Sequence, residues 1–464
     1  VERGHRRRRV RADELRWAEG STTARESPAE GSEIPRTADE AAAVDADYPL
    51  TPVPRDARKS FFSIMVVLLG FTIFTPTMIA GAGIGVAFRF GDFLLVLLAG
   101  SLILGAYVCA IGLLGQRSGL TTVVMSRYTL GYGGFQLASI LLGGTQIGWY
   151  GVVIGTIGDM TAQAFGWTGY APRAATMVVV SILMAATAYY GYRGMYWVSL
   201  ISTPLILILA FWIMFRALDH GGWGALFDIE PSTTMTWAAA ITAIVGTFVS
   251  AGTQVANWTR FAHRPSHAVG AAAIGFFIGN GLMIFFGAIG ALTYGEGDFT
   301  QLLYTMGLIG WGLFFLFGNL WKSNADTAYA FGVAGAELFN KPSKSPFIVG
   351  GAVIGTILAL TGVQNHIIEY LVLLGVFIPP LGGVLLGDWF ARWRRGRPPI
   401  TAITQALRWQ GLLPYAVASA IAYATNELQW GIAPVNGIIV AALLAFALAR
   451  VGDPGVRPAA GQHV

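Results

Sequence analysis

Charge is scarce in this sequence. Asp, Glu, Lys and Arg make up 12% of the residues, where a soluble domain carries roughly 25%. That supply cannot cover an ordinary water-exposed surface, and a 54% hydrophobic content points to a chain that meets lipid. Cysteine is scarcer still: Cys109 is the only one, which excludes an intrachain disulfide. No HExxH stretch and no P-loop occurs, so a metal centre and ATP hydrolysis are disfavoured. The six histidines form no ligand pair with a buried carboxylate, and His263 and His267, four apart, lie beside Arg260 and Arg264. An intramembrane protease would need two facing aspartates. Asp159 and Asp326 are loose candidates, not a convincing pair. The chain is therefore not read as an enzyme, and no cofactor or metal is expected.

What is abundant is apolar sequence and glycine. Twelve apolar runs are centred near positions 73, 103, 148, 182, 206, 245, 280, 318, 355, 378, 416 and 440. Each is roughly 18–25 residues long, enough to cross a bilayer as a helix. Sixty glycines suit close helix packing and interrupted helices in lipid.

Residues 1–47 carry nine Arg and eleven Asp or Glu, and the rest of the chain has an excess of seven positive charges. The RRRRVR run near the start is one of the motifs that can bind nucleic acid or lipid headgroups. Without an apolar core, however, residues 1–50 read as a disordered cytoplasmic tail, not a signal peptide, and no nucleic-acid partner is expected. Residues 51–390 then form a ten-helix core, 391–450 two further spans, and 451–464 a short cytoplasmic tail.

The connecting loops alternate in charge. One set holds Arg117, Arg127, Arg193, Arg260, Arg264, Lys341, Lys344 and the cluster Arg392, Arg394, Arg395 and Arg397; the other holds Asp92, Asp219, Asp228, Glu230, Glu296, Asp298 and Glu427, with Arg89 and Arg173 as exceptions. The positive-inside rule puts both termini in the cytoplasm of a multi-pass plasma-membrane protein.

Two spans read as broken: LLGFTIFTPTMIAGAGIG, with Gly70 and Pro76, and AIVGTFVSAGTQVANW, with Gly246 and Gly252. They begin spans 1–5 and 6–10, the corresponding positions of two five-helix halves. Such paired interruptions mark inverted-repeat transporters with a site near mid-membrane. The alternative is ordinary small-residue packing.

Polar residues within the spans are few: Gln146, Asp159, Asn257, Asn280, Asn319, Lys322, Asn324, Asp326 and Glu369. In LLGGTQIGWYG, Gln146 and Trp149 are three apart and share a helix face. An amide beside an indole suits a flat polar heterocycle, which stacks on the ring and pairs along its edge. Thr247, Phe248, Ser250 and Ala251 offer an aromatic face, hydroxyls and backbone groups at the second break. The plainer reading of Trp149 and Phe248 is that of core aromatics. The most demanding residue is Lys322, since a lysine at the centre of a membrane helix costs about 2.5–3.5 kcal/mol. Asp326, one turn on, could form a simple pair with it.

The words PVPRDARKS, LLGGTQIGWYG, FVSAGTQVANWTRF, GNLWKSNADTAYAFG, IPPLGGVLLGDW and IAPVNGII carry a resemblance. From about Leu50 to Val451 the chain resembles the nucleobase:cation symporter family 1, the purine–cytosine permease family, close to its bacterial cytosine permeases. The resemblance implies an all-α polytopic fold of twelve transmembrane helices, a leucine-transporter-like 5+5 inverted repeat with helices 1 and 6 broken. It implies Trp149 and Phe248 as the stacking pair, with base-edge contacts from Gln146, Ser250 and the Ala251 backbone. Thr247 replaces a family serine, and Asn319 and Asn324 match asparagines near the site. The family's sodium position falls on the Gly70 and Ile73 carbonyls with Asn319, Lys322 and Ser323. There Lys322 stands in place of a threonine.

A cation cannot ligate a cation, so the Lys322 ammonium is expected to occupy the sodium's place, donating to the same acceptors. Fixed charge there implies sodium-independent transport or exchange. Release and rebinding of its proton would instead make a proton symporter, with Glu369 and Asp326 as further candidates for proton coupling; Glu369 reads more simply as a residue of the outer vestibule. The expected function is import of cytosine by alternating access. Uracil, hydantoin, allantoin, hydroxymethylpyrimidine and pyridoxine are the alternatives within the family, and a non-transporting receptor the alternative outside it. The fold permits a monomer.

Overall fold

The computed structural model describes residues 48–189, 192–218, 222–394, 396 and 398–451. The expected N-terminal tail up to residue 47, the C-terminal tail after residue 451, and Asp219, Arg395 and Arg397 lie outside the described residues. Among the described residues, all regular elements are helical, apart from one isolated parallel bridge between Lys59 and Ala262. In chain order the α-helices are α1 (Phe61–Thr72), α2 (Pro76–Gly85), α3 (Phe90–Ser118), α4 (Thr122–Leu130), α5 (Phe135–Ala164), α6 (Tyr170–Tyr189) and α7 (Tyr192–Leu218). A short α8 (Gly222–Phe227) precedes α9 (Trp237–Thr253), α10 (Ala256–Thr259), α11 (Pro265–Ala272) and α12 (Asn280–Tyr294). The remainder are α13 (Phe299–Thr305), α14 (Ile309–Leu338), α15 (Ser345–Leu360), α16 (Ile367–Phe377), α17 (Pro379–Asp388), α18 (Trp409–Glu427) and α19 (Ala433–Leu448).

Seven helical stretches are long and apolar enough to cross a membrane, or eight if α1 and α2 count as one bent span. Two of the remaining apolar runs form shorter helices, α15 and α19. The 30-residue α14 falls outside that count. Asn319, Lys322, Asn324 and Asp326 dilute its apolar character. Two of the twelve expected centres, 73 and 378, fall on junctions between helices, and the other ten fall inside helices.

The two expected interruptions differ. α1 and α2 are bent by 61° across residues 73–75. The backbone leaves the helix at Ile73 (φ −75°, ψ 87°), while Thr75 before Pro76 is already helical. Pro76 opens α2, where its missing N–H costs nothing. In the second case α9 continues through Thr253, and the helix is interrupted only at Gln254 and Val255, beyond Ala251. The run Trp237–Thr259 still passes as one span. Thr247, Phe248, Ser250 and Ala251 therefore lie in the last turns of α9 and not in an unwound segment.

Glycine sets how closely several helices approach. A Cβ at Gly81 would strike the Ile284 backbone, one at Gly287 the Met78 backbone, and one at Gly85 would come within 2.6 Å of Ala288. Thus α2 and α12 meet through reciprocal small-residue contacts, the packing mode that lipid-facing helices favour. Gly287→Leu is expected to force this pair apart and to cost more than about 2 kcal/mol, typical of overpacking against unyielding backbone. A loss of monodisperse protein on size-exclusion chromatography checks it; an unchanged profile and melting temperature would refute it.

The arginines that broke the charge alternation are both paired. Arg89 meets Glu230 at 2.6 Å, and Arg173 meets Asp159 at 3.1 Å. Asp159 also accepts from Gln364 at 3.0 Å, so these contacts hold it at the end of α5, far in sequence from Asp326.

Candidate functional site

The bend between α1 and α2 frees backbone groups that α14 takes up. Asn319 is buried and spans the break: its Oδ1 accepts from the Thr75 amide at 2.8 Å and the Thr75 hydroxyl at 2.7 Å, while its Nδ2 donates to the Ile73 carbonyl at 3.1 Å. Lys322 is fully buried and its Nζ donates to the same Ile73 carbonyl at 3.0 Å. The Ser323 hydroxyl reaches the Phe71 carbonyl at 3.1 Å and those of Gly70 and Ile73 at 3.5 Å. Gly70, Ile73, Asn319, Lys322 and Ser323 therefore come together around one polar junction. Gly70 is required there by space, because a Cβ would run into the buried Ser199 side chain of α7.

The i,i+4 pairing of Lys322 with Asp326 is not formed. The ammonium goes to Ile73, and neither carboxylate oxygen of the fully buried Asp326 has a hydrogen-bond partner among the described residues. The Lys322 charge and the Trp258 side chain act on that carboxylate. Glu369 lies in α16, and its side chain lies outside the described residues.

Next to this junction is an aromatic pocket. Gln146 and Trp149 come from the middle of α5; Thr247, Phe248, Ser250 and Ala251 come from α9; Ser323 and Thr327 of α14 and Phe71 and Phe74 of the bend complete the lining. The space left between them is about 20 Å³. Gln146 is 1% exposed, and its Nε2 has no hydrogen-bond partner among the described residues. The Thr247 hydroxyl is engaged, donating to the Ile244 carbonyl at 2.7 Å and accepting from Asn280 Nδ2 at 3.1 Å. Asn324 does not line the pocket; its Nδ2 donates to Met184 Sδ at 3.4 Å. Asn319 stays at the bend, one step removed.

Sequence reading passed over four residues of this site. Phe71 and Phe74 lie in a run of five hydrophobic and threonine residues where nothing distinguishes them, and Thr327 is one of several small polar residues of α14. Tyr370 of α16 meets Trp149 edge-on at 5.6 Å, and its hydroxyl donates to the Thr145 carbonyl. A tyrosine one position beyond Glu369 was the available signal, and it was overlooked in favour of the charge.

Side chains of this kind suit a flat ring between aromatic faces with its edge paired to one amide and nearby main-chain groups, although the space between them here is smaller than such a ring. Among the described residues there is no cluster of three or more His, Cys, Asp or Glu side chains able to hold a metal ion.

Comparison with known proteins gives the same direction. Residues 52–448 match the family described as permease for cytosine/purines, uracil, thiamine, allantoin. The cytosine permease of Escherichia coli O157:H7 is 34% identical over 401 residues, covering 86% of this chain and 93% of that protein. The cytosine permease of Escherichia coli strain K12 is 33% identical over the same shares. In fold, the chain is similar to Mhp1, a nucleobase-cation-symport-1 family transporter in a closed conformation with bromovinylhydantoin bound: TM-score 0.75, 19% identity, 87% of this chain and 94% of that one. A Na⁺-coupled sialic acid symporter has a TM-score of 0.60 at 12% identity, covering 88% and 91%. Helices apolar enough to cross a bilayer, an aromatic pocket beside a helix bend and a match over most of its length make this chain an integral membrane transporter that belongs to the family of permeases for cytosine, purines, uracil, thiamine and allantoin.

Proposed function

We propose that the chain imports cytosine across the plasma membrane by alternating access, as a twelve-helix protein with both termini cytoplasmic. In this reading the fold is a 5+5 inverted repeat, with the α1–α2 bend and the α9–α10 interruption as its two breaks. The observation that carries it is the Gln146 amide, buried with an unpartnered Nε2 in a pocket shared with Trp149 and Phe248. A buried donor without a partner costs about 1–3 kcal/mol, which a ligand acceptor would recover. The pyrimidine edge of cytosine presents adjacent acceptors and donors, and a side-chain amide can answer with one donor and one acceptor. Ser250 and the Ala251 main chain lie within the same lining for the rest of that edge. The relatives named cytosine permease favour this ring over the others of the family.

In the same reading, Lys322 supplies the positive charge that a sodium ion would otherwise bring to the bend. Its ammonium bonds the Ile73 carbonyl that Asn319 and Ser323 also reach, and so braces α1 against α14. Transport is then independent of sodium.

The test is uptake of radiolabelled cytosine into proteoliposomes with choline replacing sodium, at pH 5.5 and 7.5, against an excess of uracil, hydantoin or allantoin. Saturable uptake competed by unlabelled cytosine is expected. Trp149→Ala should weaken it about 5- to 150-fold, the range of removing one base–aromatic stack. Competition by another ring but not cytosine would move the substrate. Binding with no counterflow would make the protein a receptor.

A further inference from the structure

The cavity between Gln146, Trp149, Phe248 and Thr327 is too small for what it is built to hold. About 20 Å³ is room for one water molecule, not for a six-membered heterocycle. One of the walls has to move. Gln146 and Trp149 are held in the middle of the 30-residue α5, Phe248 in α9 and Thr327 in α14. Phe74 is different: it sits between α1 and α2, on the non-helical link that follows Ile73.

Its ring also touches both members of the stacking pair. The Phe74 centroid is 5.6 Å from that of Trp149 at an interplanar angle of 75°, and 5.8 Å from that of Phe248 at 78°. Both are favourable edge-to-face contacts. Phe71 meets Phe248 as well, at 5.6 Å and 89°, but its other ring partner is Trp258 and it belongs to the last turn of α1. A phenyl group has the size and flatness of a pyrimidine ring. Phe74 thus meets edge-to-face, from within the chain, both of the rings on which a substrate ring would stack.

We propose that Phe74 is an internal placeholder for the substrate ring, leaving the Trp149–Phe248 slot when the heterocycle enters and returning when it departs. The proposal rests on the reading of Trp149 and Phe248 as the stacking pair. Its backbone is pinned on both sides, because Lys322 and Asn319 hold the Ile73 carbonyl and Asn319 holds Thr75. The exchange is therefore a side-chain movement about a fixed main chain. The same three contacts tie the ammonium site to the slot, since whatever shifts Ile73 or Thr75 shifts the origin of the Phe74 side chain. Substrate and Phe74 compete, so the apparent affinity for the ring is its intrinsic affinity reduced by the fraction of molecules with the slot open.

Removing the competitor should therefore tighten binding. Equilibrium binding of radiolabelled cytosine to the purified full-length protein in detergent tests this, with uracil and hydantoin as parallel probes. Phe74→Ala is expected to lower Kd by roughly tenfold, the scale of two lost aromatic contacts. Phe74→Trp, which fills the slot more completely, should raise it. A structural lesion would weaken binding in both variants, so opposite signs mark the placeholder. Should Phe74→Ala fail to fold, Phe74→Leu gives the same sign with a smaller change, since leucine cannot meet both rings. Unchanged or weaker binding in Phe74→Ala or Phe74→Leu, beside a wild type that binds, overturns the proposal alone. A wild type that binds none of the three probes, or a Trp149→Ala variant that binds as the wild type does, overturns the stacking pair and this proposal with it.

Discussion

In sodium-free proteoliposomes, Lys322→Ala is expected to take up cytosine at least about a hundredfold more slowly than the wild type, equivalent to about 2.7 kcal/mol. Lys322→Thr is expected to recover uptake only when sodium is supplied. The argument is one of charge and space. The ammonium is fully buried and bonds the Ile73 carbonyl at the point where α1 leaves the helix. Alanine removes the donor and the charge together, leaving Asn319 and a long Ser323 contact to hold that carbonyl. It also leaves the buried Asp326 carboxylate without its neighbouring positive charge. A buried charge stripped of its counter-charge costs about 3–5 kcal/mol, so the single variant could lose folded protein for a reason unrelated to transport. The double variant Lys322→Ala/Asp326→Asn removes that imbalance. If it folds normally and still fails to transport, the Lys322 ammonium at the bend, by its charge or its bond to Ile73, is what transport needs. Threonine shortens the side chain and returns a hydroxyl beside Ser323 and the Gly70 and Ile73 carbonyls, oxygen ligands of the kind a hard cation takes. Sodium-independent uptake by Lys322→Thr, or sodium-dependent uptake by the wild type, would dispose of the idea that the lysine stands in for an ion.

How much of this site could be read in advance depends on the kind of signal each residue sends. Lys322, Asn319 and Gln146 are visible because a polar side chain in an apolar run demands a partner, and the demand can be recognised before the partner is known. The bend at residues 73–75 was announced by Pro76 and the neighbouring glycines, and the structure bends there by 61°. The interruption after α9 falls later than Gly246 and Gly252 suggested. Neither glycine forces a break: Gly252 serves close packing against Val108, and Gly246 has no neighbour within reach of a Cβ. Phe74 was not legible, because a phenylalanine among phenylalanines carries no positional information until the backbone direction at Ile73 is known. The plainest misjudgement concerns charge at helix ends. Arg127 and Arg260 were grouped with loop charges, yet Arg127 is 7% exposed within α4 and Arg260 is fully buried. Sequence places such arginines near an interface, but only packing shows that the chain has closed over them.

Those buried arginines make Glu337 the residue whose loss should cost most in stability. It lies near the end of α14, 1% exposed, accepts from the Thr121 hydroxyl, and feels the charges of both Arg260 and Arg127. Arg260 is well supplied with acceptors, donating to the Asn257 carbonyl at 3.1 Å, the Tyr48 carbonyl at 2.6 Å and the Tyr329 hydroxyl at 3.3 Å. Arg127 is not. Its guanidinium lies 4.1 Å from the Phe135 ring centroid, while its Nε and one Nη have no hydrogen-bond partner among the described residues. Glu337 and Tyr132 are the groups that act on it in favour of its charge. Glu337→Ala is therefore expected to destabilise the protein by about 3–5 kcal/mol, because it leaves the buried Arg127 guanidinium without the acidic group that acts on it. Thr121→Val removes a single hydrogen bond to a charged group and should cost only about 1.5–3 kcal/mol. Glu337→Gln keeps an acceptor for Thr121 but not the charge, and should resemble the alanine variant more than Thr121→Val. Thermal unfolding of the detergent-solubilised protein gives this order directly. The effect should persist at high salt, since screening acts weakly on buried charges. If Glu337→Gln instead unfolds as Thr121→Val does, the hydrogen bond is what Glu337 contributes, and the arginines must be stabilised by the aromatic rings and carbonyls around them.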